Sequence, residues 1–189
     1  MNQPNNEPRM RLDRYTSGSF QRGASRVKEA LWIAISGVFF DSWIPGSGWR
    51  CRLLRLFGAQ LGIGVVIKPH VTIKFPWKLT IGDHVWIGER AWIDNLAEVT
   101  IGSHSCISQS AYLCTGSHDW TDPEFGLITG PIQIGNGCWV GAQSSLAPGT
   151  VMEAGSILAM NALGSGRLAE NTVYRVDGST KARAEKSNE

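Results

Sequence analysis

Among the side chains that could move a proton near neutral pH are four histidines, His70, His84, His104 and His118. His84 and His104 lie twenty residues apart in matching contexts, "IGDHVW" and "IGSHSC", and read as a stacked, hydrogen-bonded or solvated column rather than a zinc pair. His118 is set differently, in "CTGSHDWTDPEF" (Cys114–Phe125), a stretch that breaks an otherwise regular rhythm. Ser117, His118 and Asp119 cannot be a hydrolase triad, because consecutive residues do not converge on one point. Proton transfer is the chemistry open to His118. Asp119, Asp122 and Glu124 read as solvated loop charges, one of which could orient the imidazole. Cys114 reads as packing rather than as a nucleophile.

The rhythm that positions His118 has a period of six. Its leading positions are Leu61, Ile67, Ile73, Leu79, Ile81, Ile87, Ile93, Val99, Ile101, Ile107 and Leu113, then Ile134, Val140, Leu146, Met152 and Leu158. Small or β-branched residues often fill the fifth place, as at Val65, Val71, Ala91, Ser105, Ala111, Ser144 and Thr150. Six is three times the strand period, so each hexad is a short strand plus a bend, with its leading side chain always inward. Three hexads make a triangular coil, and coils stack by strand pairing. The spacing predicts an all-β solenoid, a parallel β-helix over 59–166. Trp86, Cys106 and Trp139 fall in equivalent outward places. The next glycine-led coil is due near 121 but starts at Ile134, so a loop is inserted at 116–131 with His118 at its root. A rigid wall beside that root can hold an imidazole for proton transfer.

Composition narrows the classes. The chain has 189 residues, 18 basic and 16 acidic, a balance that does not suggest nucleic acid. The four cysteines have no metal-ligand spacing and read as reduced and buried in a cytosolic protein. The run "ALWIAISGVFF" (Ala30–Phe40) is too short to span a bilayer, and the N-terminus lacks the order of a signal peptide. Residues 1–24 read as a polar, poorly ordered tail. Residues 25–58 read as one or two helices around a Pro45–Gly48 turn that cap the unpaired end of the solenoid. Attachment to a membrane surface is the other reading of that segment, since its aromatic residues sit beside Arg50, Arg52 and Arg55. Residues 167–189 read as a C-terminal segment and tail.

Hexads of the type "IGNGCWVGAQSSLAPGTV", the loop with "TGSHD" and the following "LAENTVY" resemble the left-handed β-helix, or hexapeptide-repeat, acyltransferases. The stretch from "FFDSWIPGSGWRCRLLRLFGAQLGIGVVIKP" to "WIDNLAEVTIG" and "LCTGSHDW" is similar to the colanic-acid-type O-acetyltransferases of bacterial exopolysaccharide synthesis. The resemblance implies a homotrimer with acetyl-CoA bound between neighbouring β-helices, and no metal. It places the catalytic histidine on His118 and the residues beside the acceptor sugar on Asp94 and Asn95. It places contacts to the CoA arm on Trp139, Ala142, Met160 and Ser165, with Lys181 or Arg183 as the basic contact. At 177–183 the chain departs from a Gly-x-Pro-Ala-like turn and reads "VDGSTKAR" (Val176–Arg183).

The function expected is acetyl transfer to a hydroxyl of a nucleotide-linked or lipid-linked sugar, in the cytoplasm or at the inner face of the membrane. The alternatives are an amine or antibiotic hydroxyl as acceptor, or a non-catalytic β-helix serving as an assembly subunit. Zinc carbonic anhydrases of the same fold need a second histidine five residues from the first. Leu113 and Pro123 stand there instead.

Overall fold

The structure, a computed structural model, describes residues 10–184. It is a left-handed parallel β-helix of about six turns with helices near the N-terminus. The first face stacks Gln60–Leu61, Leu79–Ile81, Val99–Ile101, Ile132–Ile134, Val151–Met152 and Arg167–Leu168. The second stacks Val66–Ile67, Trp86–Ile87, Cys106–Ile107, Trp139–Val140, Ile157–Leu158 and Thr172–Tyr174, with Thr180–Ala182 added antiparallel. The third stacks Thr72–Ile73, Trp92–Asp94, Tyr112–Cys114, Ser145–Leu146 and Leu163–Gly164.

Hexad leaders explain the stacking. All are buried except Leu61, which is half-buried beside the helices. Each such aliphatic side chain contributes about 1.5–3 kcal/mol by leaving water, an upper range that favours one register for every coil. The fifth-place residues Val65, Ala91, Ser105, Ser144 and Thr150 are buried at the corners, where only a small or branched side chain fits. Two of their hydroxyls are satisfied locally: Ser144 donates to the Gly141 carbonyl at 2.6 Å and Thr150 to that of Ala147 at 2.7 Å. Gly141 is required by proximity, since a Cβ there would lie 2.6 Å from the Met160 nitrogen of the next coil.

The N-terminal helices close one end. Helix α1 (Arg26–Ile35) begins at Ser25, whose hydroxyl accepts from Lys28 N–H, and runs into a wider turn over Ser36–Phe40. Helix α2 is Gly48–Leu56. Trp32, Phe40, Leu54 and Phe57 are buried between the helices and the solenoid. Polar groups of the first coil's exposed edge find partners here. Trp32 donates to the Ile73 carbonyl at 2.8 Å, His70 N–H to the Phe40 carbonyl at 2.9 Å, and the Ser47 hydroxyl to the Ile67 carbonyl at 3.0 Å. Buried Arg50 holds the loop between the helices by donating to the carbonyls of Ser42, Ile44 and Gly46, and it lies 4.2 Å from the Trp49 ring.

Two boundaries differ from the sequence expectation. The β-helix continues beyond 166, because Arg167–Leu168 and Thr172–Tyr174 pair in parallel with Val151–Met152 and Ile157–Leu158. Residues 10–24 are a fitted strap along one corner rather than a loose tail. Arg11 N–H donates to the Pro123 carbonyl, Trp77 to that of Arg22 and Lys78 to that of Gln21, each at 2.6 Å. A tract with polar side chains is ordered here through its backbone carbonyls, which composition does not reveal. Residues 1–9 and 185–189 of the expected tails lie outside the described residues.

Candidate active site

The inserted loop is a hairpin standing off the corner between the third and first faces. Its root is Thr115, fully buried, whose hydroxyl donates to the Asp94 carbonyl at 2.9 Å and accepts from Ala97 N–H at 2.9 Å. Gly116–His118 then pairs antiparallel with Leu127–Thr129, with His118 opposite Leu127. At the tip, the Asp119 carboxylate accepts from Thr121 N–H at 2.8 Å and its hydroxyl at 2.6 Å. Asp122 accepts from Glu124 N–H at 3.0 Å and Gly126 N–H at 3.2 Å. These bonds tie the turn that carries Phe125, which sits at φ +55°, a left-handed conformation unusual for a bulky residue.

That conformation builds the histidine site. The Phe125 carbonyl lies 2.9 Å from Nδ1 of half-buried His118. A carbonyl only accepts, so Nδ1 carries the proton and Nε2 presents a lone pair. The Phe125 ring stacks on the imidazole at 4.2 Å and 4°, and Tyr15 of the strap meets it edge-on at 5.6 Å. No carboxylate among the described residues orients His118. The Asp119 carboxyl is held below the usual range by its Thr121 hydroxyl bond and points into the turn instead. Phe125 and Tyr15 leave no signal in the sequence. One acts through its backbone, and the other is brought in from far along the chain.

The expected acceptor pair separates. Asp94 is half-buried on the third face beside Cys114, at the hairpin's base. Its Oδ2 accepts from the Tyr112 hydroxyl at 3.1 Å, and Lys74 Nζ lies 3.1 Å from Oδ1 without hydrogen-bond alignment. Burial first, then the Cys114 bond and the Asp94 charge, push the Tyr112 phenol well above its ordinary range, so it remains a donor. Asn95 must be corrected. It is fully buried, and its amide accepts from Phe75 N–H at 2.9 Å and donates to the Phe75 and Lys78 carbonyls at 2.7 and 3.2 Å. With those bonds made inside the wall, Asn95 is a structural strut and does not face an acceptor.

On the expected CoA side, Trp139 is half-exposed on the second face, its indole donating to the Ser108 hydroxyl at 2.8 Å. Ala142 and Met160 follow on the corner between the second and third faces, in consecutive coils bonded through Asn161 N–H and the Ala142 carbonyl at 3.0 Å. Ser165 lies elsewhere, on the corner that bears the hairpin, after Leu163–Gly164. Lys181 is exposed on the strand added to the same sheet as Trp139. Arg183 is exposed at the end of the same strand, and its Nη1 donates to the carbonyls of Gly137 at 3.1 Å and Gly155 at 3.0 Å. Cys114 donates to the Gly116 carbonyl at 2.9 Å, a local bond at the hairpin root.

Between the strap and the hairpin runs a cleft of about 570 Å³. Residues 16–21 form one side, and Leu127 and Thr129, whose side chains share the His118 side of the hairpin, form the other. Glu98, Asp122 and Glu124 face it. Lys78 also lines it, but its ammonium is spent on the carbonyls of Gln21 and Leu96, both at 2.6 Å, and burial lowers its pKa. The cleft therefore mixes apolar side chains such as Phe20, Leu96 and Leu127 with carboxylate acceptors suited to hydroxyl donors.

No family model matches the chain. WcaF of Escherichia coli K12, whose name assigns it to colanic acid biosynthesis as an acetyltransferase, is 43% identical over 156 residues, covering 82% of this chain and 85% of WcaF. Nodulation protein L of Rhizobium leguminosarum is 34% identical over 105 residues, 53% of this chain and 54% of that protein. Among solved structures, the hexapeptide-repeat acetyltransferase VCA0836 of Vibrio cholerae superposes with a TM-score of 0.75 at 24% identity, covering 86% of this chain and 96% of the other. A structure of VCA0836 complexed with acetyl-CoA superposes equally, with a TM-score of 0.75 at 20% identity, over 93% and 97% of the two chains.

Proposed function

Since the chain belongs to the hexapeptide-repeat acetyltransferases and is a WcaF relative, we propose that it moves the acetyl group of acetyl-CoA to a sugar hydroxyl in exopolysaccharide synthesis. The observation that carries the reading is the fixed tautomer of His118. With Nδ1–H committed to the Phe125 carbonyl, Nε2 is the proton acceptor, and no hydrogen bond among the described residues occupies it. A hydroxyl is a poor nucleophile until its proton is being removed, whereas a thioester is already activated. Nε2 takes the hydroxyl proton as the oxygen attacks the thioester carbonyl carbon. The imidazolium so formed is steadied by the Phe125 carbonyl. Collapse of the tetrahedral intermediate breaks the carbon–sulfur bond, and Nε2 returns the proton to the departing thiolate.

The cleft lined by Leu127 and Thr129, on the His118 side of the hairpin, suits the acceptor, a nucleotide-linked or lipid-linked sugar presented on the cytoplasmic side. Asp94, tied to Tyr112 and Lys74 at the hairpin base, is the remaining candidate to bind it. Trp139, Ala142 and Met160 are the candidates for the CoA arm, with exposed Lys181 or Arg183 as the basic contact. Within one chain these lie across the third face from the hairpin corner. A groove between neighbouring chains of a homotrimer would join them, and Ser165, on the hairpin's corner, would then line the opposite wall.

The test is His118→Ala, assayed by acetyl-CoA turnover against a panel of nucleotide- and lipid-linked sugars. Transfer should fall by roughly two to four orders of magnitude. CoA affinity by calorimetry should be unchanged, because the imidazole meets the acceptor. Near-native turnover by His118→Ala would overturn the mechanism.

A further inference from the structure

Helix α1 and the wide turn after it bury Trp32 and Phe40 against the solenoid, yet their outward side is also apolar. From Ala30 to Phe40 there is no charged residue, and Ala30, Leu31, Ile33, Ala34, Gly37 and Val38 are all exposed. A surface helix of a water-soluble protein normally turns a polar side outward; one apolar all round is covered by something. The same end of the molecule carries Trp43, 80% exposed at the tip of the interhelical loop, and Leu56, 76% exposed. Between them an apolar groove of about 450 Å³ is lined by Phe39, Ile44, Trp49, Leu53 and Leu56, with Arg52 at its edge.

Charge selects the occupant. Residues 26–56 contain five basic residues and two acidic ones, whereas the rest of the chain is slightly acidic on balance. Of the two acids, Glu29 is bonded to Arg22 and Asp41 lies 3.2 Å from His70. Arg26 and Arg52 are exposed and make no ion pair among the described residues. An uncharged apolar face, an exposed tryptophan and unpaired arginines are what an anionic lipid surface binds. The acyl boundary takes the apolar side chains, the headgroup layer takes the indole, and the lipid phosphates take the guanidinium groups. No helix among the described residues is long and apolar enough to cross a bilayer, so the contact lies on one leaflet.

We infer that the helical cap is a docking surface for an anionic bilayer, seated through Leu31, Ile33, Val38 and Trp43 and steered by Arg26 and Arg52. The docking does not depend on the acetyl-transfer reading. It would hold the hairpin corner near a lipid-linked acceptor, if that is the substrate.

The experiment is flotation of the full chain with vesicles of phosphatidylcholine alone or mixed with phosphatidylglycerol. Binding to the anionic vesicles is expected and should weaken as salt is raised. Trp43→Ser should lower the partition about tenfold. Arg52→Ala should lower it roughly fivefold on anionic vesicles and leave neutral ones unaffected. Both side chains are exposed, and circular dichroism checks that the fold is kept. His118→Ala should float like the native protein, which separates this result from any failure of the catalytic reading. No binding to anionic vesicles would overturn the inference. So would a native oligomer that dissociates on Val38→Glu without any vesicle binding, because the face would then belong to a second copy of the chain.

Discussion

Asn95 and His118 each carry both a donor and an acceptor, and their surroundings give them opposite work. Asn95 spends its amide on three backbone groups of the 75–78 corner, all within the wall of the solenoid. Asn95→Ala removes those partners and leaves buried N–H and C=O groups unpaired, at about 1–3 kcal/mol for each group that stays dry. The variant should be destabilised by about 2–4 kcal/mol in urea unfolding. Its KM for acceptor should change little once it is folded. A selective rise in acceptor KM with native stability would restore Asn95 to the binding site. His118 keeps Nε2 unbonded, and the rest of the ring is held on three sides by Phe125 and Tyr15. A side chain built into the wall supports it; one held off the wall with a lone pair to spare can react.

The strap over residues 10–24 does what the hexads cannot, by making the second wall of a cleft whose first wall is the hairpin. It is fastened at both ends, by Arg11 N–H to the Pro123 carbonyl and by Lys78 and Trp77 to the carbonyls of Gln21 and Arg22. Phe20 adds a ring stacked 6.4 Å from Phe75. Tyr15 lies between these fastenings and touches the imidazole. Tyr15→Ala should leave the melting temperature close to native, because the ring is 40% exposed. The kcat/KM for acceptor should fall about tenfold and the KM for acetyl-CoA should stay unchanged, as expected of a residue that positions the acceptor and base. Steady-state kinetics with each substrate varied in turn decides it; an equal effect on both KM values would mean the strap is only structural.

The assembled molecule is where the two halves of the proposed site must meet. Trp86, Trp92 and Trp139 stand 60%, 47% and 50% exposed on flat faces, area that a second and third copy would cover. Light scattering should give a trimer at micromolar concentration. A sharper check is to mix two inactive variants, His118→Ala and Trp139→Ala, and let subunits exchange. If each site takes its histidine from one chain and its tryptophan from the next, mixing restores roughly a quarter of the native sites. If both come from one chain, nothing is restored.

The solenoid was legible in the sequence because its repeat is local. Each coil asks the same of the same six places, so Ile87, Ile107 and Val140 report their burial through period alone. The interruption at 116–131 was legible for the same reason, as a place where the count fails, and it singled out His118. Tertiary structure decided what touches His118. The base's orientation comes from a carbonyl at a left-handed Phe125, and carbonyls carry no residue identity. Likewise the strap is ordered by backbone acceptors at Gln21 and Arg22, which a polar composition conceals. Asn95 was placed by resemblance beside the acceptor, and the structure turns it into the wall. Whether a polar side chain is spent on its own chain depends on contacts some twenty to forty-six residues away, and no local pattern in the sequence records them.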